Sequence, residues 1–313
     1  MSTEQSGRVA ILGIFVADVA FRAPRQPKMG ETILGSEFRL GPGGKGANQA
    51  VAVARLGGGV DFITMLGRDD FAKMALGIWK SEGVNPVVTQ TDETYTGAAY
   101  IFLEEATGEN AIIVCPGAAG LISPAVVQGA RARIEGAKVF VTQLEQPIEA
   151  ARAGLQIATD AGVTTILNPA PAASLDDAIF PLCDYVTPNE SEAEALTGIA
   201  VTTVDDARKA AEAFLARGVG AAVITLGENG VLFHNSEISV HVPAVHAGPV
   251  VETTGAGDAF NGAMALALAW GGKPLDAMRF GCAVAGISVT RAGTAPSMPS
   301  LEEVEKIFSL PDV

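Results

Sequence analysis

Short apolar runs alternate with segments of helical periodicity along most of this 313-residue chain. Repeated strand–helix–strand units build a parallel sheet with helices on both faces, so the alternation predicts a doubly wound, mainly parallel α/β fold. The predicted strands are Val9–Phe15, Phe62–Leu66, Val139–Leu144, Thr164–Leu167, Tyr185–Thr187 and Ala222–Leu226. The predicted helices are Ala47–Leu56, Phe71–Glu82, Pro124–Glu135, Ile148–Ala161, Glu190–Leu196 and Asp205–Arg217. We therefore expect a single domain over residues 1–313.

Two regions interrupt the alternation. Residues 17–40 are rich in proline and glycine and show no helical period, whereas Thr96–Leu103 and Ala111–Cys115 flank a polar turn like a β-hairpin. We expect these regions, about 17–40 and 96–115, to form one small β-sheet that projects from the main domain. Because such a sheet cannot bury both of its faces alone, it should cover a ligand as a lid, contact a partner subunit, or do both.

Charge and hydropathy argue against two classes of partner. The 21 Lys and Arg against 35 Asp and Glu give a net charge of −14, whereas nucleic-acid binding needs a basic face. Apolar runs such as Ala263–Trp270 fall well short of the roughly 18 residues that cross a bilayer. Three widely separated cysteines suit reduced thiols better than a disulfide framework. We expect a cytoplasmic protein with no nucleic-acid partner and no membrane partner.

The strongest local signal is the glycine-rich segment Glu252–Gly262, which leads into the apolar helix Ala263–Trp270. Such a turn points successive backbone N–H groups at one spot, and the helix dipole adds positive charge there. The segment thus predicts an anion hole, with the carboxylate of Asp258 beside it as a general base for a hydroxyl group. The alternative is a plain tight turn in which Asp258 is only the helix N-cap.

A second glycine-rich segment, Gly41–Ala50, shares some features of nucleotide-binding motifs but lacks others. Gly41, Gly43 and Gly46 satisfy the dinucleotide pattern G-x-G-x-x-G, but no clean strand precedes them and the acidic candidate Asp61 comes before the next strand instead of after it. A phosphate loop also fails, because Arg39 stands where its first glycine belongs. Both observations disfavour a dinucleotide-dependent dehydrogenase and a P-loop enzyme.

The same segment suits close approach of the backbone to a polyhydroxyl ligand. Gly43 and Gly44 leave room for such a ligand, while Lys45 and Asn48 supply polar contacts. The alternative is a packing turn that binds nothing.

The segment Thr187–Glu194 begins a helix, because Thr187 and Glu190 have the spacing of a capping box. Asn189 and Glu192, three residues apart, would share a face at the carboxyl end of a strand, where they can organise Mg²⁺ through water around nucleotide phosphates. Solvated acidic helix residues are the alternative interpretation.

Two smaller features point to the same edge of the sheet. Val223–Gly230 has the pattern of a strand, a glycine-rich loop and a new strand, which predicts either a nucleotide-lining loop or a simple hairpin. Glu145 follows an apolar strand at its carboxyl end, the usual place for ligand contacts in such sheets.

Taken together, these segments resemble the signatures of the ribokinase-like, phosphofructokinase-B type carbohydrate kinases. The shared motifs are Gly43–Ala50, Asn189–Glu192 and Thr254–Asp258, and the likeness extends from Leu12 to Pro299. The resemblance implies the doubly wound fold with a projecting β-lid, a homodimer in which two lids meet, and transfer of the γ-phosphate of ATP to a primary hydroxyl of a small sugar. D-Ribose, giving ribose 5-phosphate, is the first candidate acceptor, and another sugar or polyol is the second.

The resemblance also implies roles for individual residues. Asp258 would be the general base, and Gly255, Ala256 and Gly257 would form the anion hole. The sugar would be held at Val16, Asp18, Gly44, Lys45, Asn48 and Glu145. The ATP site would be lined by Asn189, Thr225, Leu226, Gly227, Glu228, Asn229, Gly230, Gly257 and Cys282, with Glu192 placing Mg²⁺ through water. A monovalent cation, usually K⁺, would lie among Glu252, Thr254, Ser288, Arg291, Gly293 and Ser297.

Three positions depart from the family pattern. Val16 stands where relatives usually carry a sugar-binding asparagine, and Glu252 replaces the usual aspartate at the cation site. Cys282, beside the expected adenine, stands where many relatives carry a different residue. The first departure leaves the identity of the acceptor open. A catalytically silent sugar or nucleotide sensor on the same fold is the non-enzymatic alternative.

Overall fold

The computed structural model describes residues 7–309, which contain thirteen strands in two sheets. Numbered along the chain, the strands are β1 (Val9–Leu12), β2 (Val16–Ala23), β3 (Glu37–Gly43), β4 (Val60–Leu66), β5 (Asn85–Gln90), β6 (Thr96–Glu104), β7 (Asn110–Gly117), β8 (Val139–Thr142), β9 (Thr164–Leu167), β10 (Tyr185–Val186), β11 (Ala221–Thr225), β12 (Val231–Asn235) and β13 (Ser239–Val242).

Nine of these strands form the central sheet, in the order β13-β12-β11-β10-β9-β8-β1-β4-β5. Every neighbouring pair from β11 to β5 is parallel, and β12 alone in the described sheet runs against the others. The doubly wound, mainly parallel fold expected from the sequence is therefore confirmed.

The helices cover both faces of this sheet. They are α1 (Lys45–Arg55), α2 (Asp70–Glu82), α3 (Pro124–Gly129), α4 (Arg131–Glu135), α5 (Ile148–Asp160), α6 (Glu190–Thr197), α7 (Val204–Ala216), α8 (Ala256–Ala269), α9 (Pro274–Ser288) and α10 (Leu301–Glu305). None of the helices between residues 7 and 309 has the length and apolarity that a membrane crossing requires.

The core consists of two layers, one on each face of the sheet. Along β1, Val9 and Ile11 pack into the layer formed with α1, α2, α8 and α9, whereas Ala10 and Leu12 pack into the layer formed with α3 to α7. Because both faces are covered, this strand is apolar at every position, as parallel strands in such folds usually are.

The structure corrects the sequence-based elements in several places. The strands predicted over Val9–Phe15 and Val139–Leu144 end at Leu12 and Thr142, so the residues after them form loops at the carboxyl edge of the sheet. The helix predicted over Pro124–Glu135 divides into α3 and α4 at Ala130. Helix α9 and edge strand β5 were missed altogether.

The other four strands form a small sheet in the order β3-β2-β6-β7. Its two hairpin-like pairs are antiparallel and joined by the parallel pair β2–β6. Side chains alternate along β2, so Val16 and Asp18 lie on one face while Phe21 lies on the other, in contact with Phe38 and Tyr100. This sheet occupies the two regions that interrupt the sequence pattern. The ends of the domain expected over 1–313, residues 1–6 and 310–313, lie outside the described residues.

Candidate functional site

Asp258 lies in the first turn of α8, at the carboxyl edge of the central sheet. The helix begins seven residues earlier than the apolar pattern suggested, and its N-cap is Gly255, with φ of +86°. A side chain at this left-handed position would be strained and would also place its Cβ 3.2 Å from the Cα of Thr294. The alternative in which Asp258 is the N-cap is thus wrong, because Asp258 is the third helical residue and its carboxylate does not cap the helix.

The Asp258 carboxylate is held by two side-chain amides from α1. Asn48 Nδ2 donates to Oδ2 at 2.9 Å, and Gln49 Nε2 donates to Oδ1 at 3.1 Å. Burial raises the pKa of Asp258 above its usual value, while the Lys45 ammonium and these two hydrogen bonds oppose that rise. The carboxylate is therefore a proton acceptor sheltered from water but supplied with donors. Gln49 was not among the residues that sequence reasoning selected.

Helix α1 reaches Asp258 because α1 and α8 approach closely. A Cβ at Gly262 would lie 2.8 Å from both the Gln49 carbonyl oxygen and the Ala52 Cβ. Any larger residue at this position would push the helices apart and draw the two amides away from Asp258.

Backbone amides without a backbone acceptor among residues 7–309 lie at the start of α8, beside the Asp258 carboxylate. Ala256 N donates to the Thr253 carbonyl at 3.1 Å, whereas Gly257 N and Asp258 N have no backbone acceptor in the part of the chain that the structure describes. Free N–H groups in a first helical turn are suited to an anion. Gly257 is exposed and nothing within 4 Å would meet a Cβ there, so the approach to these amides is open.

Lys45 lies near Asp258 and near two more of the selected residues, Glu145 and Glu192. Its backbone N donates to Glu145 Oε2 at 2.8 Å, so the Glu145 carboxylate binds the first amide of α1. Burial lowers the pKa of Lys45, but the charges of Asp258, Glu145 and Glu192 outweigh it and raise that pKa above its usual value. One ammonium group thus faces carboxylates from three separate segments.

Two further carboxylates have strongly raised pKa values. Burial, together with the negative charge of Glu252, raises the pKa of Asp18 to about 7, and burial raises that of Glu145 to about 7. A Cβ at Gly43 would overlap the Asp18 carboxylate, and one at Gly44 would lie 2.5 Å from the Ile14 carbonyl oxygen. Glycine is therefore needed at both positions to leave room for Asp18 and for the backbone. This turn has a packing role whether or not it also binds a ligand.

A strand, β3, does precede this glycine-rich segment, contrary to the sequence-based expectation. It is antiparallel to β2 in the small sheet and is not the first strand of a βαβ unit. Asp61 lies inside β4, where its carboxylate accepts from Arg8 at 2.7 Å. The dinucleotide interpretation accordingly has no structural basis.

The capping box at the start of α6 is one that sequence reasoning misassigned. The N-cap is Asn189, which accepts from Glu192 N at 2.8 Å, while Glu192 Oε2 accepts from Asn189 N at 2.9 Å. Thr187, predicted to be the cap, instead donates from its hydroxyl to Asn261 Oδ1 at 2.6 Å. One oxygen of Glu192 is thus occupied by the helix cap, and burial raises the pKa of this carboxyl.

The loop Thr225–Gly230 lies beside this cap. Thr225 N donates to the Pro188 carbonyl at 3.0 Å, and Asn189 forms an isolated parallel bridge with Thr225. Residues Gly227–Asn229 form a single 3₁₀ turn between the antiparallel strands β11 and β12. The hairpin geometry is therefore present, and it leaves the loop at the same edge as Asn189.

The residues selected for a monovalent cation lie in two segments, 252–254 and 288–297, which are joined by a hydrogen bond. Glu252 Oε2 accepts from Gly293 N at 2.8 Å, and the Arg291 guanidinium pairs with Glu303 at 2.6 Å. No group of three or more His, Cys, Asp or Glu side chains within residues 7–309 is arranged to hold a metal ion. A cation at this place would consequently depend on backbone carbonyl groups.

Of the remaining selected residues, Val16 and Cys282 are buried. Val16 is 3% exposed, and a Cβ at Gly97 would lie 2.9 Å from its Cγ1. Burial raises the pKa of the Cys282 thiol, which lies in α9, to about 12, so this cysteine is not a reactive thiolate.

Comparison with known proteins places this arrangement in a family. The model of the "pfkB family carbohydrate kinase" matches residues 6–301. A ribokinase of Haemophilus influenzae is 38% identical over 296 residues, which cover 94% of this chain and 96% of that protein. A deoxyribokinase of Salmonella typhi is 36% identical over 304 residues, covering 96% of this chain and 99% of that protein.

Solved structures agree with these similarities. The structure of Arabidopsis thaliana ribokinase complexed with ribose and ATP superposes with a TM-score of 0.91 at 29% sequence identity. The match covers 97% of this chain and 100% of that one.

Proposed function

Because this chain belongs to the pfkB family of carbohydrate kinases, and is thus a phosphotransferase acting on an alcohol group, we propose that it transfers the γ-phosphoryl group of ATP to a primary hydroxyl of a small sugar. The first candidate acceptor is D-ribose, which would give ribose 5-phosphate. The observation that carries this proposal is the pairing, in one turn, of a buried carboxylate with open backbone amides. A sensor that binds without reacting would have no use for that carboxylate.

In the proposed reaction, Asp258 accepts the proton of the sugar hydroxyl. The electron pair of the broken O–H bond forms a bond to the γ-phosphorus, while the bond between that phosphorus and the β–γ bridging oxygen breaks and ADP leaves. The amides of the Gly255–Ala256–Gly257 turn would stabilise the charge on the transferred group. Because Ala256 N already donates to Thr253, we assign most of this stabilisation to Gly257 N and the adjacent Asp258 N.

The sugar would lie between the small sheet and α1, held by Asp18, Gly44, Lys45, Asn48 and Glu145. Asn48 Oδ1 is buried without a hydrogen-bond partner among the described residues, so it is an acceptor available to a sugar hydroxyl. The half-buried carboxyl groups of Asp18 and Glu145 offer further oxygens for hydroxyl donors. Polyhydroxyl ligands need this kind of convergent polar lining.

ATP would lie along the edge formed by α6, the Thr225–Gly230 loop and the start of α8, with Cys282 beside the adenine. Glu192 retains one carboxylate oxygen that the helix cap does not use, which suits contact with Mg²⁺ through water. When bound, Mg²⁺ neutralises charge on the phosphates. We propose that a K⁺ ion bound to backbone carbonyls among Glu252, Thr254, Ser288, Arg291, Gly293 and Ser297 holds the anion hole in shape.

For the base, we predict that Asp258→Asn lowers kcat by about 10²–10⁴-fold with little change in the affinity for ATP, because an amide cannot accept the proton. The matched control is Asp276→Asn, since Asp276 is likewise the third residue of its helix, α9, but is paired with Arg279 at the surface. Steady-state kinetics of both variants provide the test. A folded Asp258→Asn enzyme that works at near wild-type rate would remove Asp258 from the mechanism.

For the acceptor, we predict that ATP consumption measured with pentoses, deoxypentoses, hexoses and polyols is fastest with a pentose. The similarity to a ribokinase supports this choice, and the similarity to a deoxyribokinase is the reason for the deoxypentoses in the panel. Val16→Asn should raise activity on ribose relative to the other acceptors by about 2–10-fold, the value of one net hydrogen bond of about 0.5–1.5 kcal/mol. Val19→Asn, on the opposite face of β2, is the control. An unchanged preference in Val16→Asn would show that position 16 does not contact the acceptor.

For the cation, we predict that kcat is higher in K⁺ than in Na⁺ or in a bulky organic cation at the same ionic strength. K⁺ suits a site of carbonyl oxygens, and its loss would let the turn before α8 shift. Turnover is measured in the three chloride salts. Equal rates in all three would count against a cation at this place.

For the assembly, we propose a homodimer formed through the outer face of the small sheet, where Phe38 and Ile113 are 57% and 64% exposed. An apolar surface of this kind on a soluble protein marks an interaction site. We predict that Ile113→Lys shifts sedimentation from dimer towards monomer, whereas Ile238→Lys, at an exposed site in the turn between β12 and β13, does not. A wild-type protein that sediments as a monomer would contradict the proposal.

A further inference from the structure

A buried network of amide side chains lies behind Asp258. Gln49 Nε2 donates to Asp258 Oδ1 at 3.1 Å and also reaches Asn168 Oδ1 at 3.3 Å, while Gln49 Oε1 accepts from Gln143 Nε2 at 2.6 Å. Gln49 and Gln143 are fully buried, and Asn168 is 6% exposed. The network joins the carboxyl ends of β8 and β9 to α1 and α8.

One backbone carbonyl group, that of Thr187, fixes the direction of the hydrogen bonds from Gln49 to Asn168 and Asp258. Asn168 Nδ2 donates to the carbonyl oxygen of Thr187 at 2.9 Å, and a carbonyl can only accept. Asn168 must therefore present its oxygen to Gln49, and Gln49 must present its N–H groups to both Asn168 and Asp258. The amide of Gln49 cannot turn over without losing its hydrogen bonds to both Asn168 and Asp258.

Asn48, the other donor to Asp258, is not fixed in this way. Its Oδ1 is buried and has no partner among residues 7–309, so a half-turn of the amide would exchange oxygen and nitrogen without breaking a second hydrogen bond. The two oxygens of Asp258 consequently differ, because Oδ1 always meets an N–H group whereas Oδ2 can meet either an N–H group or an oxygen.

We propose that Gln49 is a positioning residue that keeps Asp258 Oδ1 unprotonated, so that the proton taken from the sugar is carried on Oδ2. This inference rests on the proposed function of Asp258 as the base. The fixed N–H group of Gln49 stabilises the ionised carboxylate and prevents Oδ1 from acting as a donor. After proton transfer, a half-turn of the Asn48 amide, which exchanges the proposed sugar contact of Oδ1 for one with Asp258, brings this oxygen to accept from the protonated Oδ2.

The charged groups that face Asp258 are Lys45 on α1, Glu145 after β8 and Glu192 on α6. No hydrogen bond within the described part of the chain joins any of them to Gln49, so a change at Gln49 acts on Asp258 directly. Asp18 belongs to the same group of charged side chains, in which it faces Glu145.

The test is the pH dependence of kcat for the full chain, measured with saturating ATP and the best sugar of the acceptor panel. Gln49→Met removes the donor while keeping the length of the side chain. A hydrogen bond to a charged group is lost, so the pKa of Asp258 rises and the acid limb of the profile should move up by about one to two pH units. The rate should recover at high pH, which a merely structural defect would not produce.

Gln49→Glu is the second variant, and it keeps an acceptor for Gln143. Its carboxylate adds a negative charge beside Asp258, so the acid limb should move at least as far in the same direction. Should Gln49→Met fail to fold, as judged by its melting transition, Gln49→Glu carries the test.

Gln146→Met is the matched control. Gln146 is also a buried glutamine, but it donates to Thr142 Oγ1 and to the Gln143 carbonyl and does not touch Asp258. Its acid limb should stay at the wild-type pH. An equal shift in this control, or an unmoved limb in a folded Gln49 variant of an active enzyme, would overturn the role of Gln49. A wild-type enzyme that phosphorylates no sugar would instead refute the proposed function, and this inference with it.

Discussion

The site depends on holding one carboxylate in a place that water barely reaches. Asp258 is 7% exposed, and a buried charge is stable only when donors replace its hydration. The donors come from α1, so α1 must approach α8 closely enough for the glutamine and asparagine amides to reach, which Gly262 permits. Gln143 must in turn fit against the backbone at Gly13 and Gly46, where Cβ atoms would lie 2.5 Å and 3.0 Å from its Oε1. Gly13, Gly46 and Gly262, which are far apart in the sequence, thus all permit the close packing that holds the Asp258 carboxylate.

The sequence was most informative where function and conformation depend on neighbouring residues. The turn before α8 could be recognised because glycines followed by Asp258 specify a helix start with open amides. The alternation of apolar runs with helical segments along most of the chain was clear enough to predict the sheet. Predictions that required choosing between adjacent polar residues were less secure. The helix cap moved from Thr187 to Asn189 because the Thr187 hydroxyl is taken by Asn261, a residue 74 positions away.

The features that were missed have physical reasons. Ten of the fifteen residues of helix α9 are buried. The helix therefore lacks the wide polar face that marks an amphipathic helix in the sequence. Strand β5 was missed because it contains Pro86, and proline disfavours the prediction of a strand. Proline is tolerated there because β5 lies at the edge of the sheet. Gln49 looked like one more residue of a glycine-rich motif, since only the folded chain reveals which acceptor it meets.

The distance in sequence between Gln49 and Asp258 ties the chemistry to the completion of the chain. The two residues are separated by 209 positions, and the strands between them must first be laid side by side. A chain synthesised only as far as β11 already contains the glycine-rich segment before α1, Glu145 and the small sheet, but neither Asp258 nor the open amides at the start of α8. Contacts of such long range form late, after shorter loops have closed. In a newly made molecule, the surroundings of Asp258 are therefore complete only once α8 has packed into the core beside α1.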